Sequence, residues 1–205
     1  MSAAAQKDDQ KFVWTPENEV LAQKHVAKYP EGRQQSAVMP LLDIAQRQNG
    51  GHVTQEIMEY IADYLDMAPI KVMEVATFYT MYNHKPVGKH HVQVCGTTPC
   101  WLRGADDIMA ACKKHLGVEK GGTTTDGMFT LSEVECAGAC VNAPVVAIGD
   151  DYFEDLTPES MIELLNKLKS GEDVKPGPQI ERQNSAPFGG PTTLKDFQGT
   201  KGGDA

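Results

Sequence analysis

The sequence predicts an α+β protein: a bundle of short helices, then a small mixed sheet-and-helix unit, then an extended C-terminal arm. Two changes of texture carry that prediction. Apolar residues recur at helical spacing as far as Thr77, whereas after Pro86 and Gly88 they fall in short, strand-like runs. From Gly171 onward, four prolines and seven glycines occur within 35 residues, with few large apolar side chains to bury.

Taken in order, residues 1–11 are polar and read as a flexible N-terminus. Residues 12–85 form the helical bundle. Thr15 caps a helix that has Pro16 at its first position and runs to about Lys28, ahead of Pro30 and Gly32. A second helix is expected from Gln35 to Gln48, kinked at Pro40 and stopped by Gly50-Gly51. Thr54 caps a third, whose apolar stripe is Ile57, Ile61, Tyr64 and Leu65. Pro69 opens a fourth through Thr77, with Met73, Phe78, Tyr79, Met81 and Tyr82 as core or interface residues.

Residues 86–170 form the mixed unit. Strands are expected at Lys89–Val94, Met128–Val134, Val145–Ile148 and Tyr152–Glu154, with a helix at Ala105–Leu116. The last helix has the clearest pattern: Thr157 as N-cap, Pro158, then Met161, Leu164, Leu165 and Leu168 on one face, and Gly171 after its end. Residues 171–205 are the arm, with Ile180, Phe188, Leu194 and Phe197 as anchors for a partner.

Composition excludes several function classes. At 205 residues, 40% hydrophobic and 23% charged, the chain can build a core as one domain or two small ones. No run of 18 apolar residues offers a transmembrane helix, and MSAAAQKDDQK has neither the apolar core of a signal peptide nor the character of a transit peptide. A cytosolic protein, or one on the cytosolic face of a membrane, is expected. The net charge of −9 argues against nucleic acid as a partner. From Asp126 to Glu163 there are nine acids and no Lys or Arg. No G-x-G-x-x-G after a strand and no phosphate-binding loop ending in G-K-[ST] is present, so no nucleotide site and no catalytic residue is visible.

The five cysteines carry the chemistry. Cys112 lies in DDIMAACKKHL among Ile108, Met109 and Leu116 and reads as a small core residue. The other four form two pairs, Cys95 with Cys100 and Cys136 with Cys140, separated by 35 residues. Two close pairs brought together by folding surround one metal centre. Structural zinc takes four thiolates, usually from tight C-x2-C knuckles, and a [2Fe–2S] cluster takes four as well. The x4 and x3 loops suit the bulkier cluster better, and their small residues (Gly96, Thr97, Thr98, Pro99; Ala137, Gly138, Ala139) let backbone N–H groups approach sulfur. His90 and His91 read as strand residues.

Residues EVATFYTMYNHKPVGKHHVQVCGTTPCWLRG, then ECAGACVNAPV, then a Pro/Gly tail with GGPTTL, closely resemble the NuoE-type subunit family of respiratory complex I, NADH:ubiquinone oxidoreductase. The resemblance runs from about Phe12 to Leu194. It implies a thioredoxin-like ferredoxin domain after the bundle, with Cys95, Cys100, Cys136 and Cys140 holding one [2Fe–2S] cluster. It further implies an electron-transfer subunit with no independent catalytic site, whose partners are the flavoprotein subunit that holds FMN and NADH and the large iron–sulfur subunit. The place it implies is peripheral, on the cytoplasmic side of the bacterial inner membrane. Related subunits of NAD-dependent hydrogenases and formate dehydrogenases share the motif, and a zinc-stapled scaffold is the rival from another class. Adding an electron to a four-thiolate core increases its negative charge, so the acidic stretch, with Glu133 and Glu135 nearest the second pair, is expected to hold the potential low, and Arg103 to oppose this.

Overall fold

The computed structural model describes residues 11–187, 189–190 and 192–193. The chain divides into two compact units between Val87 and Gly88. The expected anchors Phe188, Leu194 and Phe197, and nearly all of the 1–11 segment, lie outside the described residues.

The first unit is helical: α1 (Pro16–Val26), a 3-10 turn (Gln34–Ala37), α2 (Val38–Gln48), α3 (Gln55–Tyr64) and α4 (Pro69–Phe78). The Thr15 hydroxyl accepts the Asn18 amide and the Thr54 hydroxyl accepts the Ile57 amide, both at 3.3 Å, so each helix starts where a short polar side chain satisfies an orphan N–H. The core is built from Leu41, Leu42, Ile44 and Ala45 of α2, Ile57, Met58 and Ile61 of α3, and Val72 and Ala76 of α4. Pro40 does not kink a helix. The 3-10 turn comes first, so Pro40 falls in the opening turn of α2, where its missing N–H is not needed. Phe12, Trp14, Tyr60 and Tyr64 pack edge-to-face or stacked with centroids 5.2–6.4 Å apart, closing the start of the chain against α3. Tyr82 is buried, whereas Phe78, Tyr79 and Met81 are exposed.

The second unit holds β1 (His90–Cys95), α5 (Thr98–Leu102), α6 (Ala105–Leu116), β2 (Phe129–Val134), a 3-10 turn (Cys140–Asn142), β3 (Val146–Ile148), β4 (Asp151–Glu154), α7 (Pro158–Ser170) and β5 (Gly177–Pro178). The sheet order is β2-β1-β3-β4-β5. β1 pairs parallel with β2, Cys95 opposite Val134, and antiparallel with β3. Val92, Val94, Leu131, Val146 and Phe153 from the sheet pack with Ile108 and Cys112 of α6 and with Met161, Leu164, Leu165 and Leu168 of α7. α7 carries a capping box in which Thr157 and Ser160 satisfy each other's backbone amides at 2.9 and 3.2 Å.

Two elements depart from expectation. The segment after Cys95 is not only a loop: it forms α5, a five-residue helix that carries Cys100. The start of the arm is not free either. Gly177–Pro178 adds β5 to the edge of the sheet beside β4, and Gln179 N–H then donates to Glu154 O at 2.9 Å. No helix among the described residues is long and apolar enough to cross a membrane.

Candidate metal centre

Topology explains why two distant cysteine pairs meet. β1 and β2 are parallel and in register, so Cys95 at the end of β1 and Cys136, two residues beyond β2, leave the sheet at the same end. β3 runs back antiparallel to β1, so its start, and the whole 135–145 loop before it, stays at that end. Ala143–Pro144 is a cis peptide. All four predicted ligands thus fall at the same end of the sheet, while Cys112 is buried in α6.

The two pairs differ in setting. Cys95 and Cys100 are each 2% exposed, packed with Ala105, Ala143 and Val145, whereas Cys136 and Cys140 are exposed. Cys136 Sγ and Cys140 Sγ are 3.6 Å apart, and the Cys95 and Cys100 thiols bond to each other. Two thiolates on one tetrahedral metal with bonds of about 2.3 Å sit roughly 3.8 Å apart, so the outer pair has the bite for one metal ion. Among the described residues, no three His, Cys, Asp or Glu side chains surround one ion-sized point. A [2Fe–2S] core takes four thiolates, and two cysteine pairs set among small loop residues offer a donor set that suits it.

The sulfurs are surrounded by donors. Burial pushes the Cys95 thiol up, but hydrogen bonds from the Thr97 side chain and from the amides of Ala137 and Thr97 outweigh it and bring it below the ordinary thiol range. Ala137 belongs to the second loop, so the two loops are bonded to each other through sulfur. Cys136 is also held low, first by the Gly138 amide, then by Cys140 and Thr97. Gly138 has φ +83°, a conformation that glycine adopts without strain, and this turn aims its N–H at the sulfur. Burial and the bond to Cys95 push the Cys100 thiol up to about 12, and Cys136 raises Cys140. In each pair one thiol shares its proton with its neighbour, and metal binding would displace both protons.

Sequence reasoning treated Thr97 only as a small loop residue. Its hydroxyl lies 3.5 Å from Cys95 Sγ and also bonds Cys136, spanning the two pairs. The acidic stretch is less bare than its composition suggests. Glu133 accepts from Lys120, and Asp155 accepts from Arg182 at 2.8 and 3.1 Å, in both cases from bases outside the stretch. Glu135 is exposed. Arg103, together with Cys140, Val141, Ile180 and Arg182, lines a cleft of about 600 Å³.

The chain is similar to known proteins. A subunit of the Rickettsia bellii NADH-quinone oxidoreductase is 55% identical over 159 residues, covering 78% of this chain and 95% of its own. Dictyostelium discoideum NADH dehydrogenase [ubiquinone] flavoprotein 2, mitochondrial, is 51% identical over 183 residues, covering 89% and 74%. The structure of an NAD+-reducing [NiFe]-hydrogenase in its air-oxidised state superposes with a TM-score of 0.55 at 16% identity, over 63% of this chain and 23% of that one, a likeness of fold. Residues 22–169 match the model of the thioredoxin-like [2Fe-2S] ferredoxins, and the chain belongs to that family.

Proposed function

We propose that this chain is an electron-transfer subunit of an NADH-quinone oxidoreductase, with one [2Fe–2S] cluster held by Cys95, Cys100, Cys136 and Cys140. One observation carries the ligand assignment: the parallel β1–β2 pair delivers both thiol pairs to the same end of the sheet, the outer pair with the bite for one iron. When bound, the cluster supplies reversible one-electron transfer. The chain's own part is to hold the four thiolates, to direct the amides of Thr97, Ala137 and Gly138 at sulfur, and to exclude water from the inner pair. The exposed outer pair is the side open to a redox partner. The names of the relatives support the complex, and the partners proposed are its FMN- and NADH-binding flavoprotein and its large iron–sulfur subunit. The place proposed is peripheral, on the cytoplasmic face of the bacterial inner membrane.

Electron paramagnetic resonance after anaerobic reduction with dithionite tests this reading. A spin-half signal integrating to one per chain is expected. A colourless, silent protein containing zinc would replace the reading with that of a structural metal site.

A further inference from the structure

We propose that the first part of the C-terminal arm, residues 179–186, is a strap that fixes the outer cysteine loop, with Arg182 as its positioning residue. The inference rests on the cluster assignment above. Arg182 lies in a segment whose composition reads as unstructured, yet its side chain is only 9% exposed, and its partner Asp155 only 8%. Its Nη1 donates to both carboxylate oxygens of Asp155, at 2.8 and 3.1 Å, and to Val141 O at 3.3 Å, while Nε donates to Ala186 O at 2.7 Å. Val141 follows Cys140 directly, so the guanidinium grips the backbone next to an outer thiol.

A second set of bonds closes the loop. Asn142 is 1% exposed, and its Nδ2 donates to Asn184 O at 3.1 Å and also to the Glu154 carboxylate. Asp155, at φ +52°, donates its own N–H to Asn142 O at 2.8 Å. Arg182, Asp155, Asn142 and Asn184 thus form one ring of bonds, joining the arm to the residues that follow Cys140. The inner pair needs no such device, because Cys95 and Cys100 are locked by the sheet and α5. The outer pair sits on an exposed loop with a left-handed glycine, and the arm braces its far end together with Glu154 and Asp155.

The physics favours a firm clamp. Breaking one side of a buried, hydrogen-bonded ion pair leaves an uncompensated charge, which is far more costly than losing a surface pair. A fork that binds a carboxylate and two carbonyls at once also fixes direction, which a lysine's single ammonium does not. The strap therefore sets how tightly Cys136 and Cys140 are held.

The test compares the full chain, loaded anaerobically with its cluster, with Arg182→Gln, Arg182→Lys and a chain ended after Gln179, which keeps β5. Bleaching of visible absorbance by excess chelator and the g-values of the reduced cluster are read for each. Arg182→Gln and the shortened chain should bleach about tenfold faster or more, with shifted g-values, and Arg182→Lys should fall between them and the unaltered chain. Wild-type bleaching rates and g-values in both Arg182→Gln and the shortened chain would overturn the strap. A readout independent of the cluster is trypsin cleavage after Arg182 in the cluster-free chain. It should be slow in the unaltered chain and several-fold faster in Asp155→Asn, and equal rates in the two chains would overturn the strap as well. Failure of the cluster reading is recognised separately, by a missing spin-half signal in the unaltered chain.

Discussion

A methyl group on Gly96 would come within 2.8 Å of Glu133 Oε1, so the carboxylate of Glu133 lies against the backbone that leaves Cys95. The same carboxylate accepts from Lys120. The carboxylate beside this backbone is therefore one half of an ion pair. Glu133→Gln strands the Lys120 cation and should raise the cluster midpoint by tens of millivolts, since both groups are about half exposed and screened. Glu133→Gln with Lys120→Gln should return it close to its starting value. Potentiometric titration followed by paramagnetic resonance measures both, and an unchanged midpoint in the single variant would remove Glu133 as a tuning residue.

Thr97 offers the opposite control. Its hydroxyl bonds Cys95 and Cys136, and donors to sulfur favour the reduced, more negative cluster. Thr97→Val keeps the shape and deletes the donor, so the midpoint should fall by tens of millivolts. Thr97→Ser should leave it near the original.

Burial orders the reactivity of the thiols. In the cluster-free chain at neutral pH, iodoacetamide should label Cys136 and Cys140 first and Cys95 and Cys100 slowly. Cys112, fully buried and with its thiol pushed up to about 12 by that burial, should react only on unfolding. Peptide mass mapping over time reads the order. Early modification of Cys112 would contradict the packing of α6.

The helical unit should weaken in alkali. Burial raises Tyr82 to about 12, and burial together with the bond to Glu19 raises Tyr64 to about 12, from a usual value of 10.0. The folded state holds these protons more tightly than the unfolded chain does. Their stabilisation is complete below pH 10 and is lost as pH rises through 12. Tyr82→Phe loses the bond to Met39 O, made at 2.9 Å, and should cost about 1 kcal/mol at neutral pH while flattening the alkaline fall. Denaturant titrations across that pH range check both effects.

Gly88 stands where the second unit begins. A Cβ there would meet Phe129 backbone at 2.8 and 2.9 Å, and the Gly88 N–H donates to the buried Thr130 hydroxyl at 2.6 Å. Backbone cannot swing aside as a side chain can. Gly88→Ala should destabilise the unit by roughly 1–3 kcal/mol, seen as a lowered thermal midpoint.

The sequence disclosed those features whose causes are local. Thr157, the apolar face from Met161 to Leu168, and Gly171 mark α7 because a cap, a 3.6-residue period and a left-handed stop all act within one helix. The cysteine pairs were legible as pairs because each belongs to one short loop. α5 was missed because five residues are too few for any period to register, and Pro99 with Gly96 reads equally well as a turn. The contacts of Lys120 with Glu133 and of Arg182 with Asp155 could not be read either. Their partners are 13 and 27 residues away, and only the sheet brings them together. Counting charges along the acidic stretch therefore overstated its bare negative charge.

The parallel pairing of β1 with β2 also dictates a timetable. Cys95 and Cys100 leave the ribosome while α6 and β2 are still to be made, and 35 residues separate them from Cys136. Until β2 docks beside β1, no four-thiolate pocket exists, only an isolated dithiol. All four thiols can therefore come together only after synthesis has passed Cys140 and β2 has docked beside β1. A nascent chain stalled before that point would carry the Cys95–Cys100 dithiol without its partner pair.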